Sequence, residues 1–373
     1  MSRNPVFNDN KLKLGTFCTN GRGTTHSLAP EANQLTWPLA LEVAKEVDRA
    51  GYEAVVPFSR WKGYIKGKPG HVSGDVLDPF TFAAAIAQAT KQVGIFVTSH
   101  APTIHPIVIA KQTATIDIIS NGRLAVNVVG GWNRPELEMF GAPLREHDQR
   151  YDYLAEWLEV LQKLWTSTEE FDHHGEFFDI VQGFSNPKPV QKPFPPIMNA
   201  GHSDRGRRFA CEHADLCFIG IRSEDPEAVR NEVEKYKGTA REQFGREVKV
   251  WAHTYVVQRD TQKEADDYVR YYAVEHQDRE SIDGLIDLSV PDVKNMPREV
   301  WEELRTRYAA GYGGFPLVGT PERIAEKLGM LADAGLDGVL LTWIDFVDGV
   351  KSFNREVLPL LEKAGLRKPL AGM

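Results

Sequence analysis

The stretch IDIISNGRLAVNVVGGWNRPELEMFGAPLREHDQRYDYL, from Ile116 to Leu154, decides how the rest of the chain is read. LAVNVV (124–129) is a short and nearly continuous apolar run, the pattern of a strand buried on both faces of a parallel sheet. It carries Asn127 near its end and breaks into Gly130-Gly131-Trp132-Asn133. An amphipathic helix follows His147-Asp148, with Tyr151, Leu154, Leu158, Leu161 and Trp165 in one stripe. Strand, polar loop and helix in that order place an amide and aromatic rings at the mouth of an α/β barrel, where such folds keep their chemistry.

The same alternation extends in both directions. Upstream, strands are predicted at 13–17, 53–58 and 93–99, with helices at 38–50, 80–90 and 106–120. Downstream, PPIMNAG (195–201), ADLCFIG (214–220), VKVWAHTYVV (248–257) and DGVLLTW (337–343) read as strands. Helices are predicted around 203–213, 225–238, 261–275, 321–335 and 349–363. Eight strands with helices after them predict an α/β fold of the (β/α)8 TIM-barrel type, one domain over 1–373, rather than an open doubly wound sheet. Segments 58–79, 130–146, 168–195 and 276–316 exceed ordinary loop lengths, and three of them follow strands, which predicts long insertions at the C-terminal face. The 168–195 segment, with Phe177-Phe178 and Pro187-Lys188-Pro189, suggests a hairpin and an extended run.

Composition narrows the classes. With 42% hydrophobic and 26% charged residues the chain has enough apolar side chains for a large core. A net charge of −8 with mixed signs argues against nonspecific nucleic-acid binding, which rests on clustered Lys and Arg. No apolar run is long enough for a membrane span, and the N-terminus lacks an apolar signal core, so a cytoplasmic enzyme is expected. Cys18, Cys211 and Cys217 are too few for a disulfide framework and are expected to be free.

Several residues invite chemistry. In NAGHSDRGRRFACEHAD (199–215) a strand ends at Ala200, Gly201 permits close backbone approach, and Ser203 or Asp204 opens a helix. Free amides at a helix start favour phosphate, with His202 alongside and Arg205, Arg207 or Arg208 to add charge. An ordinary Ser cap gives the same pattern. Thr98 and Asn127, at the ends of neighbouring strands, place a hydroxyl and an amide at the mouth, either to hold a polar ring or as satisfied polar residues. His253 faces a proton-donor reading and a buried structural one. Trp61, Trp132, Trp251 and Trp343 can wall an aromatic pocket, whereas Trp157 and Trp165 belong to the helix layer. Histidine spacings match no metal site. GYGG (311–314) lacks a strand–turn–helix context, and no P-loop or GxSxG elbow is present.

Taken together, ATIDIISNGRLAVNVVGGWNRPE, HDQRYDYLAEWLEVLQKLW, NAGHSDRGRRFACEHAD and LVGTPERIAEKL resemble the bacterial luciferase-like flavin monooxygenases, from about residue 12 to residue 365. The chain looks nearest the group that oxidises pyrimidines, dimethyl sulfone and alkanesulfonates. That resemblance implies reduced FMN supplied by a separate NAD(P)H-dependent flavin reductase, O2 as co-substrate, and a homodimer or homotetramer. It implies that Thr98 and Asn127 serve flavin and oxygen, that Tyr151, Ala200, Gly201, His202 and Ser203 hold the FMN phosphate, and that His253 lies near the flavin edge. Trp61, His100, Trp132, Trp251 and Trp343 become the expected substrate pocket, and 276–316 the expected lid, hinged at Ala310 to Gly314. Alkanesulfonate enzymes carry arginines where this chain has Trp251 and Ala310, which weakens a sulfonate substrate. Deazaflavin-dependent hydride transfer and non-catalytic flavin binding are the rival expectations on the same barrel.

Overall fold

The computed structural model describes residues 4–289 and 297–370. Its central sheet closes on itself. Strands β1 (Lys13–Phe17), β2 (Ala54–Val56), β3 (Gly94–His100), β4 (Leu124–Val129), β7 (Ile197–Asn199), β8 (Leu216–Ile219), β9 (Lys249–Gln258) and β11 (Gly338–Thr342) pair in parallel, and β11 returns to β1. The expected eight-stranded barrel is therefore present. Helices α1 (Trp37–Arg49), α2 (Pro79–Ala89), α3 (Pro106–Ile119), α5 (His147–Thr166), α6 (Asp204–His213), α7 (Pro226–Phe244), α11 (Pro321–Asp333) and α12 (Phe346–Glu356) surround it. Most begin where the sequence offers an oxygen cap: Thr36, Asp78, Ser203, Asp225, Thr320 and Asp345 each accept a backbone N–H of the first turn.

Side chains alternate across each strand, and the inward set fills the barrel. Ala54, Val56, Phe96, Ala125, Met198, Leu216, Trp251 and Leu340 form one buried cluster, with Val6 joining it from the N-terminal segment. Trp251 is the largest of these, and it fits because its register partner is Gly338: a Cβ there would stand 2.5 Å from the indole ring. The outward set packs the helices in a second, larger core that includes Trp157 and Trp165. Among the described residues no helix is long and apolar enough to cross a membrane.

The excursions differ in part from expectation. The 168–195 segment contains the antiparallel hairpin β5 (Phe171–His174) and β6 (Asp179–Gly183), as predicted. The region 276–316, expected as a long loop, instead holds helices α9 (Arg279–Ser289) and α10 (Arg298–Gly311) and opens a further strand, β10 (Phe315–Gly319). Residues 290–296 of that region lie outside the described residues. Strand β10 pairs with the upper half of β9, from Thr254 to Gln258, while β8 pairs with its lower half. The short apolar run FPLVG was obscured by flanking Gly and Pro, and it is a strand only because β9 offers an unused edge there. The 130–146 excursion carries the short helix α4 (Arg134–Met139), and α8 (Gln262–Arg270) continues into a π-helical turn, Tyr271–Glu275.

Because the barrel interior has no spare volume at Trp251, Gly338→Ala is expected to destabilise the fold by about 1–3 kcal/mol. Adding Trp251→Leu should recover part of that loss. Thermal melts of the single and double variants check both statements.

Candidate functional site

At the C-terminal end of the barrel, polar side chains join the inward set. Thr98 and Asn127 face each other in register on β3 and β4 and are both buried. The Asn127 Nδ2 donates to Thr98 Oγ1 at 3.1 Å, and the Thr98 hydroxyl donates to the Pro57 carbonyl at 2.5 Å. The hydroxyl proton is thus committed, and Thr98 orients the amide. Asn127 Oδ1 is left buried without a partner, an acceptor that folding leaves unsatisfied. On β9, His253 lies edge-on to Phe17 at 5.2 Å, with Nε2 3.4 Å from Thr24 Oγ1. Burial drives its pKa down to about 3, so at neutral pH it is an uncharged hydrogen-bonding group rather than an acid.

The second half of the site joins β7 to α6. Asn199 spans the gap, donating to the Val128 carbonyl at 2.7 Å and accepting the Gly201 N–H at 2.9 Å. Tyr236 donates to the Gly201 carbonyl at 3.0 Å. Ser203 caps α6 by accepting the Gly206 N–H at 3.1 Å. Two glycines make this turn possible. A Cβ on Gly201 would come within 2.3 Å of the Gly206 carbonyl, and one on Gly206 within 2.3 Å of the Tyr151 hydroxyl. Tyr151, from the N-terminal part of α5, therefore packs against the turn. Ala200 and His202 are exposed beside it. The nearby arginines are engaged elsewhere: Arg205 with Asp152 at 2.6 Å, Arg207 with Asp204 at 2.9 Å, and Arg208 over the Phe244 ring. What the turn could offer an anion is therefore backbone amide, helix dipole and tyrosine hydroxyl rather than an arginine.

The luciferase-like monooxygenase model matches residues 12–338. The chain belongs to the luciferase-like monooxygenase family. It is 30% identical to the FMNH2-dependent dimethylsulfone monooxygenase of Pseudomonas putida over 86% of this chain and 87% of that protein. It is 29% identical to the pyrimidine monooxygenase RutA of Acinetobacter baylyi over 94% of this chain and 95% of that one. Among solved structures, the long-chain alkane monooxygenase LadA superposes with a TM-score of 0.85 at 24% identity, over 100% of this chain and 94% of that one, a likeness of fold. The resemblance read from the sequence, and with it the enzyme class of FMNH2-dependent monooxygenase, is borne out.

The expected pocket residues separate into two groups. Trp251 is fully buried in the barrel core and packs on Gly338, so it does not wall the mouth. Trp343 points the other way, edge-on to Phe346 and Phe353 at 5.9 Å in the helix layer, because it is out of phase with the inward Leu340. Both were named for being tryptophans near strands, a criterion blind to side-chain direction. His100 and Trp132 do reach the mouth, and Trp61 stands exposed at its rim, edge-on to Phe140 at 5.2 Å.

What joins His100 to Trp132 is a residue the sequence reading passed over. Arg60, whose side chain is 4% exposed, lies 3.2 Å from the Glu136 carboxylate, and His100 Nδ1 lies 3.8 Å from the other Glu136 oxygen. Burial opposes the guanidinium charge, but Tyr64, Tyr312 and Glu136 outweigh it and hold the Arg60 pKa above its ordinary value. Burial raises the Glu136 pKa, and Arg60 opposes that rise. The signal for Arg60 was available: Ala54 and Val56 face inward, and continuing that alternation past the strand gives Phe58 and Arg60. Glu136 has no such signal, since it sits on the first turn of a helix whose docking is tertiary.

Ala310, at the end of α10, is buried, and Tyr312 caps that helix in the left-handed conformation with φ 54°. Gly314 lies against His253. The insertion therefore covers the mouth as a packed helical cap, with Tyr272 donating to the Ala310 carbonyl at 3.0 Å and His26 Nδ1 3.0 Å from Ser281 Oγ.

Three buried histidines tie the mouth to pH. Burial lowers His253 and His26 to about 3 and His100 to about 4, with Arg60 adding to the last two. Unfolded, each titrates near its ordinary value of 6.5. Between about pH 6.5 and pH 4 the unfolded chain binds more protons, so stability falls as pH is lowered, by up to about 1.4 kcal/mol per pH unit for each histidine. His253→Gln is expected to flatten that dependence by about one proton. Denaturant unfolding of both proteins from pH 7.5 to pH 4.5 measures the difference, and parallel curves refute it.

Proposed function

We propose that the protein is a two-component monooxygenase that takes FMN already reduced by a separate NAD(P)H-dependent flavin reductase and uses O2 to oxygenate a small organic molecule, a nitrogen heterocycle or an organosulfur compound. The observation that carries this reading is the fixed Asn127 amide, whose buried Oδ1 has no partner. An acceptor in that position suits a ring bearing an N–H donor. The Gly201–Gly206 turn, packed so closely that a Cβ on either glycine would strike the Gly206 carbonyl or the Tyr151 hydroxyl, sets the start of α6 beside that hydroxyl, a combination that suits a phosphate. The residues present therefore fit FMN at both ends. When bound, reduced FMN supplies the electrons that activate oxygen.

The chain's own part is positioning and exclusion of water. Thr98 keeps the Asn127 amide from rotating, Asn127 presents its oxygen inward, and His253 adds an uncharged polar edge that does not deliver a proton at neutral pH. The helical cap and the 58–78 excursion exclude bulk water above them. Similarity to enzymes named for dimethyl sulfone and for pyrimidines supports a small polar substrate.

Anaerobic protein loaded with reduced FMN, mixed with oxygenated buffer in a stopped-flow spectrometer, is expected to oxidise at a rate and with transients distinct from free FMNH2. Oxidation identical to the free flavin refutes the reading. Thr98→Ala should leave FMN bound but lower the yield of oxygenated product per flavin oxidised about tenfold or more, since it frees Asn127. Unchanged yield removes the role assigned to that hydroxyl. Gly206→Ala, which pushes a methyl into the Tyr151 hydroxyl, should weaken FMN at least about tenfold while riboflavin, lacking the phosphate, binds as before. Fluorescence titration of the two flavins distinguishes the effect from general damage.

A further inference from the structure

Two of the chain's three cysteines, Cys211 and Cys217, meet where α6 packs on β8, and oxygenation at the mouth uses neither. Both are fully buried free thiols. The Cys217 thiol donates to the Cys211 sulfur, and the Cys211 thiol donates to the Tyr236 carbonyl at 3.3 Å. The hydrogen bond from Cys217, with the charges of Arg207 and Arg246, holds the Cys211 pKa below its ordinary value although burial opposes it. The same bond and burial push Cys217 well above its own. Arg207 stands one turn before Cys211 on α6, and its Nε is buried without a hydrogen-bond partner. Arg246 reaches the same helix end, donating to the carbonyls of Cys211, Glu212 and Ala214. One sulfur is thus favoured as thiolate while the second stays protonated within its reach, the division of labour of a redox dithiol. Cys18, just past β1, is buried, and burial pushes its thiol well up.

The pair is tied to the phosphate turn through two residues. Cys211 shares α6 with Gly206, and Tyr236, which accepts the Cys211 thiol on its carbonyl, donates its own hydroxyl to the Gly201 carbonyl at 3.0 Å. A bond between the two sulfurs removes both S–H groups. The Tyr236 carbonyl loses that donor, and the end of α6 is drawn toward β8. The oxidant follows from the chemistry of the site: reduced flavin that meets O2 without oxygenating a substrate yields FMN and H2O2. Peroxide is small and uncharged, which suits thiols with no exposed surface. A groove of about 460 Å³ runs over the same helix end, lined in part by Glu212, His213, Asp215 and Arg246, and brings solvent to the residues around the pair.

We propose that Cys211 and Cys217 are a reversible peroxide-sensing dithiol whose disulfide loosens the FMN phosphate turn, so that a protein oxidising FMNH2 without substrate releases its flavin. H2O2 oxidises the Cys211 sulfur to a sulfenic acid and leaves as one water. The Cys217 sulfur then displaces the hydroxyl as a second water and forms the S–S bond. The two thiols together give up two electrons and two protons, and the peroxide O–O bond, as it breaks, takes them. The place of FMN at this turn and the source of the peroxide rest on the monooxygenase reading; the pairing of the two sulfurs does not.

Protein treated with H2O2, denatured, alkylated and mapped by non-reducing peptide mass spectrometry tests the pairing. It should yield a Cys211–Cys217 cross-link lighter by two hydrogens, with Cys18 still a thiol. Fluorescence titration should find FMN bound at least about tenfold more weakly by the cross-linked protein, riboflavin bound as before, and dithiothreitol restoring the FMN affinity. Cys211→Ser, which keeps a hydroxyl donor for the Tyr236 carbonyl, should bind FMN within about twofold of the native protein both before and after peroxide. If that variant does not fold, the oxidation and reduction cycle of the native protein still decides. During turnover with a flavin reductase and NADH but no substrate, the cross-link should accumulate, and catalase should suppress it. No cross-link with added peroxide, oxidation of Cys18 in its place, FMN affinity unchanged by the cross-link, or a catalase-insensitive cross-link overturns the proposal. A cross-link that forms with added peroxide in a protein that neither binds FMN nor alters the oxidation of FMNH2 overturns the monooxygenase reading instead.

Discussion

A barrel that is full below its mouth determines where everything else goes. Trp251 occupies the interior because Gly338 beside it has no side chain, and Phe96, Met198 and Leu340 complete that packing. No polar side chain finds a partner at that level, so hydroxyl, amide and imidazole appear only at the strand ends. Thr98, Asn127 and His253 are thereby forced into the same end of the molecule, although 155 positions separate the first from the last in sequence. Their low exposure follows from the caps laid over that end rather than from the barrel itself.

Two levels result. The lower is made by residues within strands, whose directions are fixed by sheet register. Asn127 is held by Thr98, Thr98 by Pro57, and the turn at Gly201 by Asn199 and Tyr236. The upper level comes from His100 at the last position of β3 and from residues beyond the strands, Arg60, Trp132 and Glu136, together with Tyr64 and Tyr312 from longer excursions. Groups at the lower level are rigid and largely satisfied, and the open valences concentrate where the two levels meet.

The lower level was legible in the sequence and the upper one was not. Apolar runs bounded by Gly and Pro marked all eight barrel strands, and a polar residue interrupting such a run, as Asn127 does, marks a site because it breaks a pattern that burial enforces. The Gly201-His202-Ser203 turn was visible for the same reason, as a strand end running into a capped helix. Beyond the strands, periodicity stops carrying information. Trp251 and Trp343 were assigned to the pocket by residue type and belong to two different cores, and the difference is one of phase relative to Leu340. Helices α9 and α10 escaped notice because their apolar faces are short and the strand that ends the insertion has only five residues.

That final strand has a consequence for how such proteins diversify. The chain leaves β9 at Gln258 and comes back at Phe315, beside Thr254, and β10 then runs parallel to β9 until Gly319 stands opposite Gln258, with the Arg259 N–H donating to the Gly319 carbonyl at 3.1 Å. Residues 259–314 are thus a cassette whose two ends are clamped on adjacent, paired strands. Lengthening or replacing the cassette changes its closure entropy only slowly and leaves every barrel register untouched. The roof over the mouth is free to be rewritten while the floor beneath it stays the same.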